Sequence, residues 1–431
     1  MIKCFTRANE VKVRGHMEKT YIINAKRTAI GKFLGSLYEA DPTEVCTQLI
    51  QKGFQEINSK GKSILCDVES VIAGNVISAG MGQGIARKIA LSAGVPQTTP
   101  AYSLNMVCGS GMQAIRSAMN EIQSGMDLVL CGGLEFMSNI PYATNSYIRL
   151  GKKFGDFNMV DLMTHDGLLD SFSGVHMGIT AENIAKAYGI TRQEQDEYSD
   201  LTRKRAISAI DSGKFKQEIV KIILRDYKGN EYSFDLDEFP NRGSNLEKLQ
   251  TLKPTFLKNG NGTVTAGNTS GINDGAAFLL VASEKYCKEN GIVPIAELCE
   301  GVSVGCDPQL MGLGAFYAIQ KLLRKTEKKL SDIDYFEINE AFAAQVLGCY
   351  RLLADEYGCS VNEIIRRSNI YGSGIGLGHP LGATGARIVV TLAHILEHGK
   401  GEYGIASLCI GGGMGTAVLL RKVDEDEFIK G

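Results

Sequence analysis

The apolar and polar positions of this chain change rhythm several times. Between Thr20 and about Asn139, short apolar runs alternate with stretches in which apolar residues recur every three or four positions. Residues 21–25, 70–76 and 128–130 predict strands, and residues 43–57 and 84–93 predict helices. A further strand, over 103–107, stops in glycines and restarts as a helix whose buried face is Met112, Ile115, Met119 and Ile122. Strands alternating with helices imply an α/β fold, with a mostly parallel sheet covered by helices on its faces. From about Asn139 to Gly271 the texture becomes charge-dense, as over 192–210, or turn-rich, as over 227–244, which reads as an insertion. The α/β rhythm resumes at 275–282 and continues through 335–338 to the end.

The chain also echoes itself. The unit around Cys108 is followed by an apolar run ending in Cys131-Gly132-Gly133. Later, Asn369-Ile370-Tyr371 enters the glycine-rich 372–385, a helix follows, and residues 405–408 run into Cys409-Ile410-Gly411-Gly412-Gly413. The same order twice implies two packed copies of one α/β domain. The expected division is an extension over 1–16, a first domain of 17–138 with 272–293, an insertion over 139–271, and a second domain over 294–431.

Composition narrows the function classes. The 431 residues imply two or three domains, and the net charge of −2 supplies no excess of cations for a nucleic-acid backbone. No apolar run approaches the ~18 residues of a spanning helix, so no membrane insertion is expected. Eleven cysteines without a C-x-x-C pair read as reduced thiols rather than disulfides or zinc ligands, and no metal is expected. Residues 1–16 carry four Lys or Arg against Glu10 and read either as a weak mitochondrial presequence or as an extended start ahead of Met17. A cytoplasmic location is expected, or a mitochondrial one if 1–16 is a presequence.

Cys108, at or just before a predicted helix N-terminus, stands where backbone N–H groups and the helix dipole favour a thiolate. In Gly378-His379-Pro380 the proline keeps His379 out of helical conformation, and the glycines leave its ring accessible, so Cys108 and His379 are candidates for a Cys/His pair. Cys409, ending a strand in glycines, is a second candidate thiol, and Asn339-Glu340 places polar groups after the strand 335–338. A rival reading takes Gly109-x-Gly111-x-x-Ala114 as a dinucleotide fingerprint with Glu135 as its ribose-binding acid, which would make a NAD-dependent dehydrogenase. It leaves the cysteine and the second glycine-rich segment unexplained, and no phosphate-binding G-x-x-x-x-G-K-[ST] occurs.

At six places in order the sequence resembles the thiolases, in particular acetyl-CoA C-acetyltransferases of the biosynthetic type. These are Val107–Gly111, His176-Met177-Gly178, Ala266–Gly271, Asn339–Ala343, Gly378-His379-Pro380 and Cys409–Gly413. The resemblance implies the thiolase fold: two duplicated βαβ-rich domains in five αβαβα layers, with a loop domain inserted in the first. It also implies a reversible Claisen condensation of two acetyl-CoA to acetoacetyl-CoA and CoA through an acetyl-cysteine. Position by position, Cys108 resembles the nucleophile, His379 its base and Cys409 the acid/base for the second substrate. Asn339 corresponds to the residue holding an oxyanion-hole water, and the N–H groups of Cys108 and Gly411 to a second oxyanion hole. His176, Met177, Ala266, Ser270 and Phe342 match contacts to the pantetheine arm, and Arg242 is the position available for the phosphates. A bulky His176 and Met177 over the acyl pocket imply short-chain substrates rather than those of a degradative 3-ketoacyl-CoA thiolase; a non-catalytic CoA-binding relative is a more distant alternative. The resemblance implies no cofactor beyond the CoA substrates and a homotetramer or homodimer. The chain departs from the family pattern at Thr384, usually serine, at Gly374-Ile375-Gly376, and in a longer loop over 258–262.

Overall fold

The computed structural model describes residues 18–54, 57–59, 61–226, 228–257 and 260–429. The segment 1–16, and Lys258 and Asn259 of the longer loop, lie outside the described residues. Five strands belong to the first half of the fold: β1 (Thr20–Arg27), β2 (Ser70–Gly74), β3 (Ala101–Leu104), β4 (Leu128–Phe136) and β5 (Asn273–Ser283). Four belong to the second: β6 (Ala296–Gly305), β7 (Tyr335–Ile338), β8 (Tyr403–Ile410) and β9 (Met414–Arg421). The first set is ordered β3-β2-β4-β5-β1 and the second β7-β8-β9-β6. A lone parallel bridge from Ser368 to Phe336 stands beside β7 where β3 stands beside β2. Each half therefore repeats one order, and the halves meet where β1 pairs with β6 at Tyr21 and Ile22.

The sheet is mixed rather than mostly parallel. β2 runs parallel to β3 and β4, and β7 to β8, but β4–β5, β5–β1, β8–β9 and β9–β6 are antiparallel. For β8 and β9 the reason is local. β8 turns straight into β9 through Gly411–Gly413, with φ near 84° at Gly412 and 82° at Gly413, so no crossover helix intervenes.

Side chains of the strands alternate between two cores, as the pleat requires. In β5, Ala276, Phe278, Leu280 and Ala282 face a core built with α1 (Pro42–Phe54) and α2 (Ile85–Ala93). Ala277, Leu279 and Val281 face the opposite way, into a central core. That core holds α3 (Ser110–Gln123) and α8 (Leu381–His398), together with Ala406 and Leu408 of β8 and Val418 and Leu420 of β9. The outer face of the second half packs on α6 (Gly314–Thr326) and α7 (Ala343–Tyr357). The result is five layers, helix–sheet–helix–sheet–helix. Every residue of α8 from Leu381 to Leu396 is buried, the polar Thr384, Arg387, Thr391 and His394 among them. Among the described residues no helix is long and apolar enough to cross a membrane.

Between β4 and β5 lie α4 (Met177–Ala187) and α5 (Arg192–Asp211). Thr191 and Glu194 form a capping box at the start of α5. Its charge-dense sequence does not make it a solvated rod: Tyr198, Thr202, Ala206 and Ala209 are buried against the second half.

Candidate active site

Cys108 and His379 occupy the same station in the two halves, just before the central helices α3 and α8. The starts of these helices touch because their glycines leave no gap. A methyl group on Gly111 would lie 2.8 Å from the Gly382 carbonyl oxygen, and one on Gly385 2.5 Å from the Met112 nitrogen. The contact brings both stations, and the Cys409–Gly413 turn, onto one cavity of about 260 Å³. Cys108, His379, Cys409, Gly411, His176, Met177, Ala266, Ser270 and Phe342 all line it.

Cys108 precedes the helix proper: Gly109 is the N-cap and Ser110 the first helical residue. Val107 is held at φ 48°, unusual for a β-branched residue, with its N–H bonded to Asn105 Oδ1 at 2.8 Å and its carbonyl accepting from Ser110 Oγ at 2.7 Å. The expected preformed thiolate is not what the surroundings favour. The desolvating cavity wall pushes the Cys108 thiol up to about 11, and the backbone N–H groups of Gly411 and Cys108 itself, both directed at the sulfur, only partly offset this. Burial also pushes the Cys409 thiol upward. Both thiols are protonated at rest.

His379 is held for the opposite role. Its ring is buried, and desolvation, with the nearby Arg387 charge, lowers it to about 3, so it is a neutral acceptor at ordinary pH. The Thr384 hydroxyl donates to the Pro380 carbonyl at 2.8 Å, so its oxygen accepts the proton on His379 Nδ1 at 2.6 Å. The lone pair is thereby placed on Nε2, 3.5 Å from Asn339 Nδ2. The His379 backbone N–H is tied to Asn273 Oδ1 at 3.0 Å. The role of Thr384 is missed by sequence reasoning, where it registers only as a departure from the family pattern.

Asn339 does not line the cavity; it stands behind His379. Its Oδ1 is buried and has no protein partner, while its backbone N–H is bonded to the Ser407 carbonyl at 2.9 Å. The following Glu340 fixes this corner. Its carboxylate accepts from Tyr198 Oη at 2.8 Å, Thr202 Oγ1 at 2.9 Å and Asn369 Nδ2 at 2.7 Å, all buried.

At the other end of the cavity His176 stacks on Phe256, with ring centroids 4.6 Å apart, and its Nδ1 accepts the Gly178 N–H at 3.1 Å to cap α4. Phe256 is a second residue absent from the sequence reading; it carries no motif, and only the stacking reveals it. Arg242 is not in this cavity. It lies in an adjoining cleft with Arg203 and Lys248 that shares Ala266 and Thr269 with the first, and it pairs with Asp211 at 2.6 Å in the open.

Glu135 binds no ribose. Fully buried, it accepts from the backbone N–H groups of Val76 at 3.0 Å, Ile77 at 3.1 Å and Gly382 at 2.9 Å, which joins β4 and the end of β2 to the start of α8. Of the glycines of the supposed fingerprint, Gly111 serves helix-to-helix contact and Gly109 lies against Ile410 at the end of β8. This removes the dehydrogenase reading.

Comparison with known proteins agrees with this geometry. Residues 20–285 match the family described as "Thiolase, N-terminal domain" and residues 292–422 match "Thiolase, C-terminal domain". The chain belongs to the thiolase family. It is 42% identical over 402 residues to an acetyl-CoA acetyltransferase of Chromobacterium violaceum, covering 93% of this chain and 99% of the relative. The structure of acetyl-CoA acetyltransferase from Syntrophomonas wolfei superposes with a TM-score of 0.89 at 37% identity, covering 95% of this chain and 100% of that one. Human mitochondrial 3-ketoacyl-CoA thiolase superposes with a TM-score of 0.87 at 35% identity, with the same coverage of both chains.

Proposed function

We propose that this enzyme is an acetyl-CoA C-acetyltransferase that joins two acetyl-CoA into acetoacetyl-CoA and CoA, reversibly, through acetyl-Cys108. The observation that carries the reading is the meeting of two protonated thiols and one neutral imidazole in a single cavity, contributed by both halves of the fold. His379 Nε2 takes the proton of Cys108 as the sulfur attacks the thioester carbonyl, and Cys409 gives its own proton to the departing CoA sulfur. The N–H groups of Cys108 and Gly411 receive the oxyanion of this step. Cys409, now a thiolate, removes the α-proton of the second acetyl-CoA; the Nε2–H that His379 gained from Cys108 and a water held by the free Oδ1 of Asn339 donate to the enolate oxygen. The carbanion attacks the acetyl carbonyl, and Cys108 leaves as a thiolate and is reprotonated. Coenzyme A thioesters are the substrates, and the cleft of Arg203, Arg242 and Lys248 accepts their phosphates. The division into 17–138 with 272–293, an insertion of 139–271, and 294–431 accompanies this proposal.

Mixing each variant with acetyl-CoA and weighing the intact protein tests the assignment. Cys108→Ser should gain no acetyl group, whereas Cys409→Ser should be acetylated yet fail to condense. Acetylation of Cys409 in Cys108→Ser would reverse the roles. A degradative preference is the second reading, since a 3-ketoacyl-CoA thiolase shares the fold. The stacked His176 and Phe256 favour short chains on steric grounds, and turnover of a ketoacyl-CoA of about ten carbons at the acetoacetyl-CoA rate would refute that.

A further inference from the structure

The last turn of α8 carries a constellation that the condensation does not use. His394, Glu397 and His398 follow the i, i+3, i+4 spacing that places side chains on one helical face, and one ligand atom from each lies within 4.8 Å of the others. His394 Nε2 stands 2.9 Å from the Ala25 carbonyl oxygen, which can only accept, so the ring proton of neutral His394 is on Nε2. Its Nδ1 lone pair then faces Glu397 Oε2 at 3.1 Å, and the same oxygen lies 3.4 Å from His398 Nε2. Two acceptors pointed at each other need a proton or a cation between them.

Three features favour a cation. Ligands about 2.0–2.1 Å from a tetrahedral metal stand roughly 3.4 Å apart, close to the 3.1 Å and 3.4 Å that separate Glu397 Oε2 from the two ring nitrogens. A ring whose far N–H is anchored on a backbone carbonyl has the outer support that metal-bound histidines have. The cluster also sits at the negative end of the α8 dipole, where positive charge is favoured. The Lys26 ammonium, which also acts on Glu397, donates to the Gln217 carbonyl at 2.5 Å. We propose that His394 Nδ1, Glu397 and His398 Nε2 form a site for one divalent late first-row metal ion, zinc above all, with the fourth position open to water. His394 is buried and Glu397 and His398 are progressively more exposed, so the site opens toward solvent and away from the Cys108 cavity.

The chelator-stripped full-length enzyme should take up one Zn2+ per chain in calorimetry, and Zn2+ should raise its melting temperature. His398→Ala, at the exposed end where folding is least at risk, should weaken binding about 100-fold and abolish the thermal shift while leaving thiolysis of acetoacetyl-CoA unchanged. Glu397→Gln should act in the same direction. Substituted Co2+ should show a visible band without thiolate charge transfer, since the chain's cysteines are the competing ligands. Equal Zn2+ affinity in wild type and His398→Ala, a thiolate band lost on cysteine alkylation, or no uptake from excess metal would each overturn the site and leave a protonated His394 paired with Glu397.

Discussion

At the scale of single residues, the resting site is a neutral thiol beside a neutral imidazole rather than a thiolate–imidazolium pair. Cys108 is raised to about 11 and His379 lowered to about 3, both chiefly by loss of water. Alkylation of Cys108 by iodoacetamide, followed on its peptide, should therefore climb ~10-fold per pH unit through pH 9 without a plateau. A plateau below pH 8 would mean that the ion pair is formed after all. The Thr384 hydroxyl sets which imidazole nitrogen is basic, so Thr384→Val should lower kcat about 10–100-fold with little change in KM, and Thr384→Ser should restore it. Equal kcat in the valine variant would remove Thr384 from the mechanism. Cys108, His379 and Cys409 were legible because each stands in glycine, a local signature. The free Oδ1 of Asn339 and the stacking of Phe256 were not, because both depend on neighbours distant in sequence. The thiolate expectation failed for a related reason: a dipole can be read from a helix start, but the desolvation that outweighs it belongs to the walls of a cavity.

At the scale of elements, a helix start in one half is held by a strand end in the other. The two Glu135 oxygens accept only from N–H groups, namely Val76, Ile77, Gly382 and the Asn75 side chain. In Glu135→Gln an amide NH2 would face some of these donors in a buried place, so a loss of about 2–5 kcal/mol is expected by chemical denaturation. A loss below ~1 kcal/mol would show that this junction does not hold α8. Element type was legible from apolar rhythm, and the duplicated order from the repeated runs of 128–130 and 405–408. Strand direction was not. The rhythm is the same whether β8 leads to a helix or folds back on itself, and only the backbone of Gly412 and Gly413 decides it.

At the scale of the molecule, the insertion divides its labour. The polar α5 turns inward to brace Glu340, whereas a run of apolar side chains on the preceding segment is left in water: Tyr147, Leu150 at 81% exposure, Phe154 at 95%, Phe157 and Met159. Burying each of these is worth roughly 1.5–3 kcal/mol, which suits a seam between copies of the chain. Light scattering at low concentration should give a dimer or tetramer, and Leu150→Glu with Phe154→Glu should yield a smaller species. A wild-type monomer with full activity would dismiss the seam. Charge density over 192–210 did not reveal which way that helix turns, because composition reports polarity but not the direction a helix faces.

The glycine contacts between α3 and α8 have one more result. A jaw needs a joint, and here there is none: backbone meets backbone at Gly111, Gly133 and Gly382 with no room for even a methyl group. Any hinge through this contact would have to part backbone packed on backbone. The reacting groups acquire their alignment when the chain folds, before any thioester arrives, and each catalytic cycle is left with traffic rather than rearrangement.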